Sequence, residues 1–191
     1  MVLLLGVVCC SQSEDELVEQ GRNLMAESNY TEAIKSLNKA LVKNPNNYVA
    51  LNAKGVALLR LGQFEESVSV FGKAIAIDST NYRAYFNRGN TKRLLQDDLG
   101  AIDDYGKAID IQPNIIDIYI NRGAILYKYN EYDRALFDFE FALRLDETNP
   151  LVYLNKGKTE LRTNNPEDAM FDLKKAIEYK PDYGEAFYWL G

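Results

Sequence analysis

The chain has 191 residues, of which 47% are hydrophobic and 26% charged, and its formal net charge is −6 at pH 7. This composition is that of a globular domain, and the acidic balance argues against nucleic acid as a partner. The sequence holds no histidine, and its two cysteines, Cys9 and Cys10, are adjacent. A Ser/His/Asp or Cys/His nucleophile, a zinc site of His and Cys ligands, and a disulfide framework are therefore excluded. We expect neither enzyme activity nor a cofactor.

The first element in chain order is the apolar run MVLLLGVVCC, residues 1–10, which an acidic tract follows. Ten residues are too few to span a bilayer as a helix, and a short apolar run before a cleavage site is typical of an export signal. With cysteine at that boundary, residues 1–13 resemble the signal and linker of a bacterial lipoprotein. The resemblance implies that Cys10 is lipidated and that this lipid alone anchors the protein to a membrane of the bacterial cell envelope. The alternative is an apolar helix that packs on the following domain.

The remainder of the chain repeats with a period of 34 residues. Glycine recurs at this step at Gly21, Gly55, Gly89, Gly123, Gly157 and Gly191. Alanine keeps the same step at Ala40, Ala74, Ala108, Ala142 and Ala176. Because two helices approach closely only where their facing side chains are small, these series predict antiparallel helical hairpins. Each hairpin is expected to need its stacked neighbours for stability.

This pattern resembles the tetratricopeptide repeat, whose 34-residue unit carries the signature W-x2-L-G-x2-Y…A-x3-F…P. The resemblance implies an all-α, right-handed α-solenoid of antiparallel helix hairpins over residues 14–191. Complete repeats are expected at 14–47, 48–81, 82–115, 116–149 and 150–183, with a partial repeat at 184–191. Within each repeat, we expect helix A at about positions 2 to 14 and helix B at about positions 17 to 30. Three prolines are expected to end second helices: Pro45, Pro113 and Pro181.

Charges sort by helix in the second to fifth repeats, because the cations concentrate on helix A and the acids on helix B or its flanking turns. The family exposes helix A on the concave side, so the resemblance implies a basic groove. Arginine pairs with carboxylates and asparagine hydrogen-bonds peptide backbone, which favours an extended, acidic or carboxylate-bearing peptide as ligand. The alternative is that these residues form simple solvated helix faces. The predicted groove residues are Asn52, Arg60, Arg83, Phe86, Asn87, Asn90, Arg93, Asn121, Tyr127, Lys128, Asn155, Lys158 and Arg162.

Two other groups of charged residues are expected to be structural. Position seven of four repeats carries a cation whose stem should pack between helices while its charge stays at an edge: Lys54, Arg88, Arg122 and Lys156. Paired acids on helix B are expected on a solvated face, not in a metal or acid–base site: Asp97, Asp98, Asp103 and Asp104.

Chaperone-binding members of the family hold a carboxylate with a clamp of cations and asparagines. Asn90 and Asn121 match the asparagines of this clamp, but Phe86, Leu151 and Asn155 stand where its cations should be, so we reject it here. The leading function is a protein-interaction scaffold that binds an extended peptide. A second is an accessory lipoprotein of an envelope assembly or secretion machine, which docks a folded partner. A third is the N-terminal repeat region of a longer protein, which could carry a catalytic domain.

Overall fold

Every regular element of residues 12–191, the part of the chain that this computed structural model describes, is an α-helix. The predicted lipidation site, Cys10, lies outside the described residues. The first of two units, described over residues 12–79, contains α1 (Glu14–Ala26), α2 (Tyr30–Lys43), α3 (Tyr48–Arg60) and α4 (Phe64–Ile77). The second unit, residues 80–191, contains α5 (Tyr82–Leu94), α6 (Asp98–Ile111), α7 (Ile116–Lys128), α8 (Tyr132–Leu145), α9 (Pro150–Arg162), α10 (Pro166–Tyr179) and α11 (Gly184–Leu190).

Consecutive helices pack against each other within each unit. In the first unit α1 packs on α2, α2 on α3 and α3 on α4, and in the second the same order runs from α5 to α11. The first helices of successive hairpins also touch, since α1 contacts α3, α7 contacts α9 and α9 contacts α11. Stacked helical hairpins of this kind define an α-solenoid, so the predicted fold class is confirmed.

Side-chain caps mark the start of five of the eleven helices in residues 12–191. Ser13 starts α1 with a capping box, in which its hydroxyl accepts from the Glu16 N–H and the Glu16 carboxylate accepts from the Ser13 N–H. Asn47 and Asn149 cap α3 and α9 through side-chain oxygens that accept from backbone N–H groups in the first turn. The turns between the paired helices share one left-handed residue at the same repeat position: Ser28, Gly62, Gln96, Asn130 and Asn164.

The helix bounds differ slightly from those expected from the sequence. Helix B spans repeat positions 17 to 30 in every complete repeat, as predicted, whereas helix A spans positions 1 to 13 and so begins one residue early. No proline follows α4 or α8 at the position of Pro45, yet both end at the same repeat position as α2. Asn81 and Asn149 cap the helices that follow α4 and α8. The stop therefore does not need proline where an asparagine caps the next helix.

Glycine at repeat position eight sets the close spacing inside a hairpin. A Cβ on Gly89 would lie 2.8 Å from a ring carbon of Tyr105, and a Cβ on Gly123 would lie 2.7 Å from a ring carbon of Phe139. Both rings are fully buried. The large core residue of helix B therefore occupies the volume that a side chain at position eight would need.

Candidate functional site

All predicted groove residues lie on first helices of the hairpins. Asn52 and Arg60 are on α3 in the first unit, where Asn52 is half-buried and Arg60 is exposed. The other eleven lie on α5, α7 and α9 in the second unit. The surface that these three helices contribute, called the first-helix surface below, is therefore described within the second unit alone.

A hydrogen-bonded network of two amides and a phenol joins α5, α6 and α7. The Oδ1 atom of Asn90 accepts from the Tyr105 hydroxyl at 2.7 Å and from Nδ2 of Asn121 at 3.0 Å. Burial raises the pKa of Tyr105 to about 12, so its hydroxyl remains a donor at physiological pH. Among residues 12–191, Nδ2 of Asn90 and Oδ1 of Asn121 have no hydrogen-bond partner. The network thus fixes two half-buried side chains that still offer a donor and an acceptor.

A second cluster surrounds Tyr127, where α7, α9 and α11 come together. Nε of Arg162 donates to the Tyr127 hydroxyl at 3.3 Å. Nζ of Lys158 lies 5.9 Å from the centroid of the Tyr127 ring and 5.4 Å from that of the Trp189 ring, which is within the range of cation–π attraction. Lys158 also pairs with Glu185 at 2.7 Å. The cluster therefore combines two cations, two aromatic rings and one acid.

Lys128 forms an ion pair that reaches from α7 back to α6. Its Nζ donates to the carboxylate of Asp98, which is 3% exposed, although the lysine side chain itself is 63% exposed. This hydrogen bond raises the pKa of Lys128. The charge of Lys128 is therefore compensated inside the second unit.

The remaining predicted groove residues make mainly internal contacts. The half-buried Phe86 ring lies 6.1 Å from the Tyr105 ring. The backbone carbonyls of Asn87 and Asn155 accept from threonine hydroxyls at 2.8 and 2.6 Å. Nε of the exposed Arg83 donates to the Tyr82 hydroxyl at 3.5 Å, and Arg93 is exposed.

The position-seven cations of the second unit do not leave their charges at an edge, contrary to the expectation from the sequence. Arg88 binds Asp104 with two hydrogen bonds of 2.9 and 2.6 Å, and Arg122 binds Asp138 in the same way at 2.9 and 2.7 Å. Lys156 pairs with Asp172 at 2.6 Å. The three aspartates are 0%, 1% and 4% exposed. Each cation is therefore held between helices by a buried carboxylate 16 residues further along the chain.

The prediction that the paired acids lie on a solvated face is wrong for two of them. Asp98 and Asp104 are buried, whereas Asp97 and Asp103 are exposed. Asp104 faces the hairpin partner because a cation stands opposite it, at position seven of helix A. The constant spacing of 16 residues between position-seven cation and aspartate was the signal in the sequence that could have identified these pairs.

The ion pair of the fifth repeat contains an additional carboxylate. Lys156 also donates to Glu160, which is 4% exposed, and Oε2 of Glu160 is buried without a partner among the described residues. Burial and the nearby Asp172 raise the pKa of Glu160 to about 7. The same repeat position holds Lys92 in the third repeat and Leu126 in the fourth. The ionised carboxylate of Glu160 therefore destabilises the folded state of this cluster.

Two kinds of feature are absent from the described part of the chain. None of its helices combines the length and the apolar character that a membrane crossing requires. Residues 12–191 also contain no group of three or more Cys, Asp or Glu side chains that could hold a metal ion.

Sequence models of the tetratricopeptide repeat match residues 18–82, 82–115, 116–149 and 151–183. The chain belongs to the tetratricopeptide-repeat family. No curated protein matches it in sequence.

Solved structures share the fold. The chain is similar to the MamA protein, with 22% identity and a TM-score of 0.81 over 90% of this chain and 95% of that one. It is also similar to YrrB, described as a TPR protein with an unusual peptide-binding site, with 21% identity and a TM-score of 0.80 over 91% and 89%. A tetratricopeptide repeat protein from Parabacteroides merdae is 22% identical, with a TM-score of 0.83 over 94% and 72%. At these identities the similarity concerns the fold.

Proposed function

We propose that the chain is a protein-interaction scaffold and that the first-helix surface of its second unit binds an extended, carboxylate-bearing peptide. Membership of the repeat family and the similarity to a peptide-binding repeat protein support the general role. The surface offers fixed amides, arginines and aromatic rings, and its polar groups suit recognition of a peptide.

The observation that carries the proposal is the network of Tyr105, Asn90 and Asn121. Asn90 Oδ1 already accepts two hydrogen bonds, and this fixes the orientation of both amides. The remaining Nδ2 of Asn90 and Oδ1 of Asn121 then present one donor and one acceptor, as the backbone of an extended peptide requires. Because the amides are held in place before binding, little side-chain entropy is lost when a peptide docks.

Peptide selection tests this proposal. Random decapeptides would be selected on the wild-type protein, and the affinity of a selected peptide would be measured by fluorescence anisotropy. We expect Asn121→Ala to weaken binding about tenfold, which corresponds to about 1.4 kcal/mol, because it removes an acceptor and releases Asn90. The matched control is Asn38→Ala, since Asn38 is an exposed asparagine on α2. If no peptide is selected, or if Asn121→Ala binds as tightly as the control, the proposal is wrong.

A folded partner is the second candidate, and two exposed aromatic residues favour it. Phe137 on α8 and Phe171 on α10 occupy the same repeat position and are 58% and 60% exposed. Phenylalanine is one of the residues that are enriched in protein–protein interfaces. Phe137→Glu together with Phe171→Glu should abolish capture of a folded partner and leave binding of the selected decapeptide unchanged. If the double variant lost decapeptide binding but still captured the folded partner, this candidate would be refuted.

We also propose attachment to the bacterial envelope through lipidated Cys10, a proposal that is supported by the sequence pattern alone. Metabolic labelling with a fatty-acid analogue tests it, with Cys9→Ser as the matched control. Label on the wild type and the control but not on Cys10→Ser is the expected result, and equal labelling of all three would overturn it.

A further inference from the structure

Three cations near Tyr127 differ in what neutralises them. Lys128 and Arg162 occupy the same position in successive repeats, and Lys158 lies one turn before Arg162 on α9. Lys128 pairs with the carboxylate of Asp98, and Lys158 pairs with that of Glu185. Arg162 instead donates to the hydroxyl of Tyr127, which is neutral. Among these three, Arg162 is the cation whose charge no carboxylate of the described chain compensates.

The contact with Tyr127 leaves most of the guanidinium available. Only Nε of Arg162 is engaged, so the two terminal nitrogens keep four N–H groups without a partner among residues 12–191. The arginine side chain is exposed to solvent. The two terminal nitrogens of an exposed guanidinium match the two oxygens of a carboxylate in a bidentate pair.

Tyr127 also restricts where the guanidinium can lie. Its ring is half-buried and packs 5.7 Å from the ring of Tyr132. Lys158 lies beside the same ring, and its exposed fraction is only 19%. The guanidinium of Arg162 is charged at physiological pH, as that of any arginine is. The phenol thus anchors the guanidinium of Arg162 through one hydrogen bond.

We infer that Arg162, oriented by Tyr127, is the carboxylate-binding subsite of the first-helix surface. This inference rests on the proposed peptide-binding function. The ligand group is a carboxylate, either of an aspartate or glutamate side chain or of a peptide C-terminus. Lys128 and Lys158 contribute little to its binding because each already has an internal acid.

The experiment uses a decapeptide that was selected on the full-length wild-type protein. Three matched forms are compared by fluorescence anisotropy: the peptide itself, its C-terminal amide, and the form in which every acidic residue is replaced by Asn or Gln. We expect Arg162→Gln to weaken binding of the parent peptide about fivefold and to remove the preference for one of the two carboxylate sources. One altered form should bind the wild type more weakly than the parent peptide does, but bind Arg162→Gln as tightly as the parent does. The carboxylate that this form lacks is the one that Arg162 binds.

Lys128→Gln is the matched control because Lys128 occupies the equivalent repeat position. It should change affinity by less than about twofold, since its charge is used by Asp98. Tyr127→Phe keeps the ring but removes the hydroxyl, and it should weaken the parent peptide while leaving unchanged the affinity of the form that lacks the carboxylate bound by Arg162.

The outcomes separate two failures. If no peptide is selected at all, the proposed function fails. If a peptide binds but Arg162→Gln and Lys128→Gln weaken it equally, or the carboxylates do not affect its affinity, the function stands and the Arg162 subsite is overturned.

Discussion

Replacing Glu160 by glutamine should make the protein more stable at alkaline pH. Lys156 is hydrogen-bonded by both Glu160 and Asp172, so one ammonium faces two buried carboxylates in the fifth repeat. In the third repeat the ratio of cations to carboxylates is reversed, because Arg88 and Lys92 both pair with the single carboxylate of Asp104. Burying a second carboxylate without its own cation is unfavourable.

The magnitude follows from the raised pKa of Glu160. The folded value is about 7 and the ordinary value is 4.5. Below pH 4.5 the carboxyl is protonated in both states and has no effect on stability. As the pH rises from 4.5 to 7, the unfolded state loses its proton first, so the free energy of unfolding falls. With 1.36 kcal/mol per pKa unit, the full loss above pH 7 is about 3 kcal/mol.

Urea denaturation at pH 4.5 and pH 8 would measure this effect on the wild type and on Glu160→Gln. The difference in free energy of unfolding between the two proteins should change by about 3 kcal/mol between these pH values, in favour of the variant at pH 8. Glu178→Gln is the control, because Glu178 pairs with Lys175 on the surface and is 59% exposed. If Glu160→Gln has the same pH dependence as the wild type, or is less stable at pH 8, the reasoning about this cluster is refuted.

Two further predictions concern the packing of the second unit. Gly123→Ala should lower the free energy of unfolding by about 1–3 kcal/mol, because its Cβ would lie 2.7 Å from the Phe139 ring. Gly106→Ala, where the nearest atom would be 3.8 Å away, should instead stabilise α6 by about 0.5–1 kcal/mol; thermal melts that rank the two variants equally would contradict this. Arg122→Met should destabilise by about 3–5 kcal/mol because it leaves the buried Asp138 carboxylate unpaired, and adding Asp138→Leu should restore most of the loss. Urea denaturation checks this, and a double variant no more stable than Arg122→Met would argue against the buried-charge explanation.

The fold could be predicted from the sequence because small residues recur at fixed positions of every repeat. Gly89 and Gly123 meet the rings of Tyr105 and Phe139, and at this distance a larger side chain would force the ring to move. Such steric requirements recur in every repeat and therefore produce a visible period. The helix bounds could be predicted to within one residue because every complete repeat has the same bounds, and an asparagine caps three of the first helices.

The charged residues were harder to place, because an aspartate on a helix has no sequence mark that tells a buried position from an exposed one. Asp103 and Asp104 are neighbours in sequence, yet the first is exposed and the second is fully buried. What distinguishes them is the cation on the opposite helix, Arg88, and this pairing depends on hairpin geometry. For the same reason, sequence could list Lys128, Lys158 and Arg162 as cations of one surface but could not show which of them already had an acid.

The central claim is that the first-helix surface of the second unit binds an extended peptide. Amide chemical-shift mapping tests it most directly, with the isotope-labelled full-length protein titrated with the decapeptide selected on it. The account predicts that the largest shifts fall on α5, α7 and α9, including the side-chain amides of Asn90 and Asn121 and the Nε–H of Arg162. Largest shifts on the second helices α8 and α10, with Asn90, Asn121 and Arg162 unchanged, would contradict it.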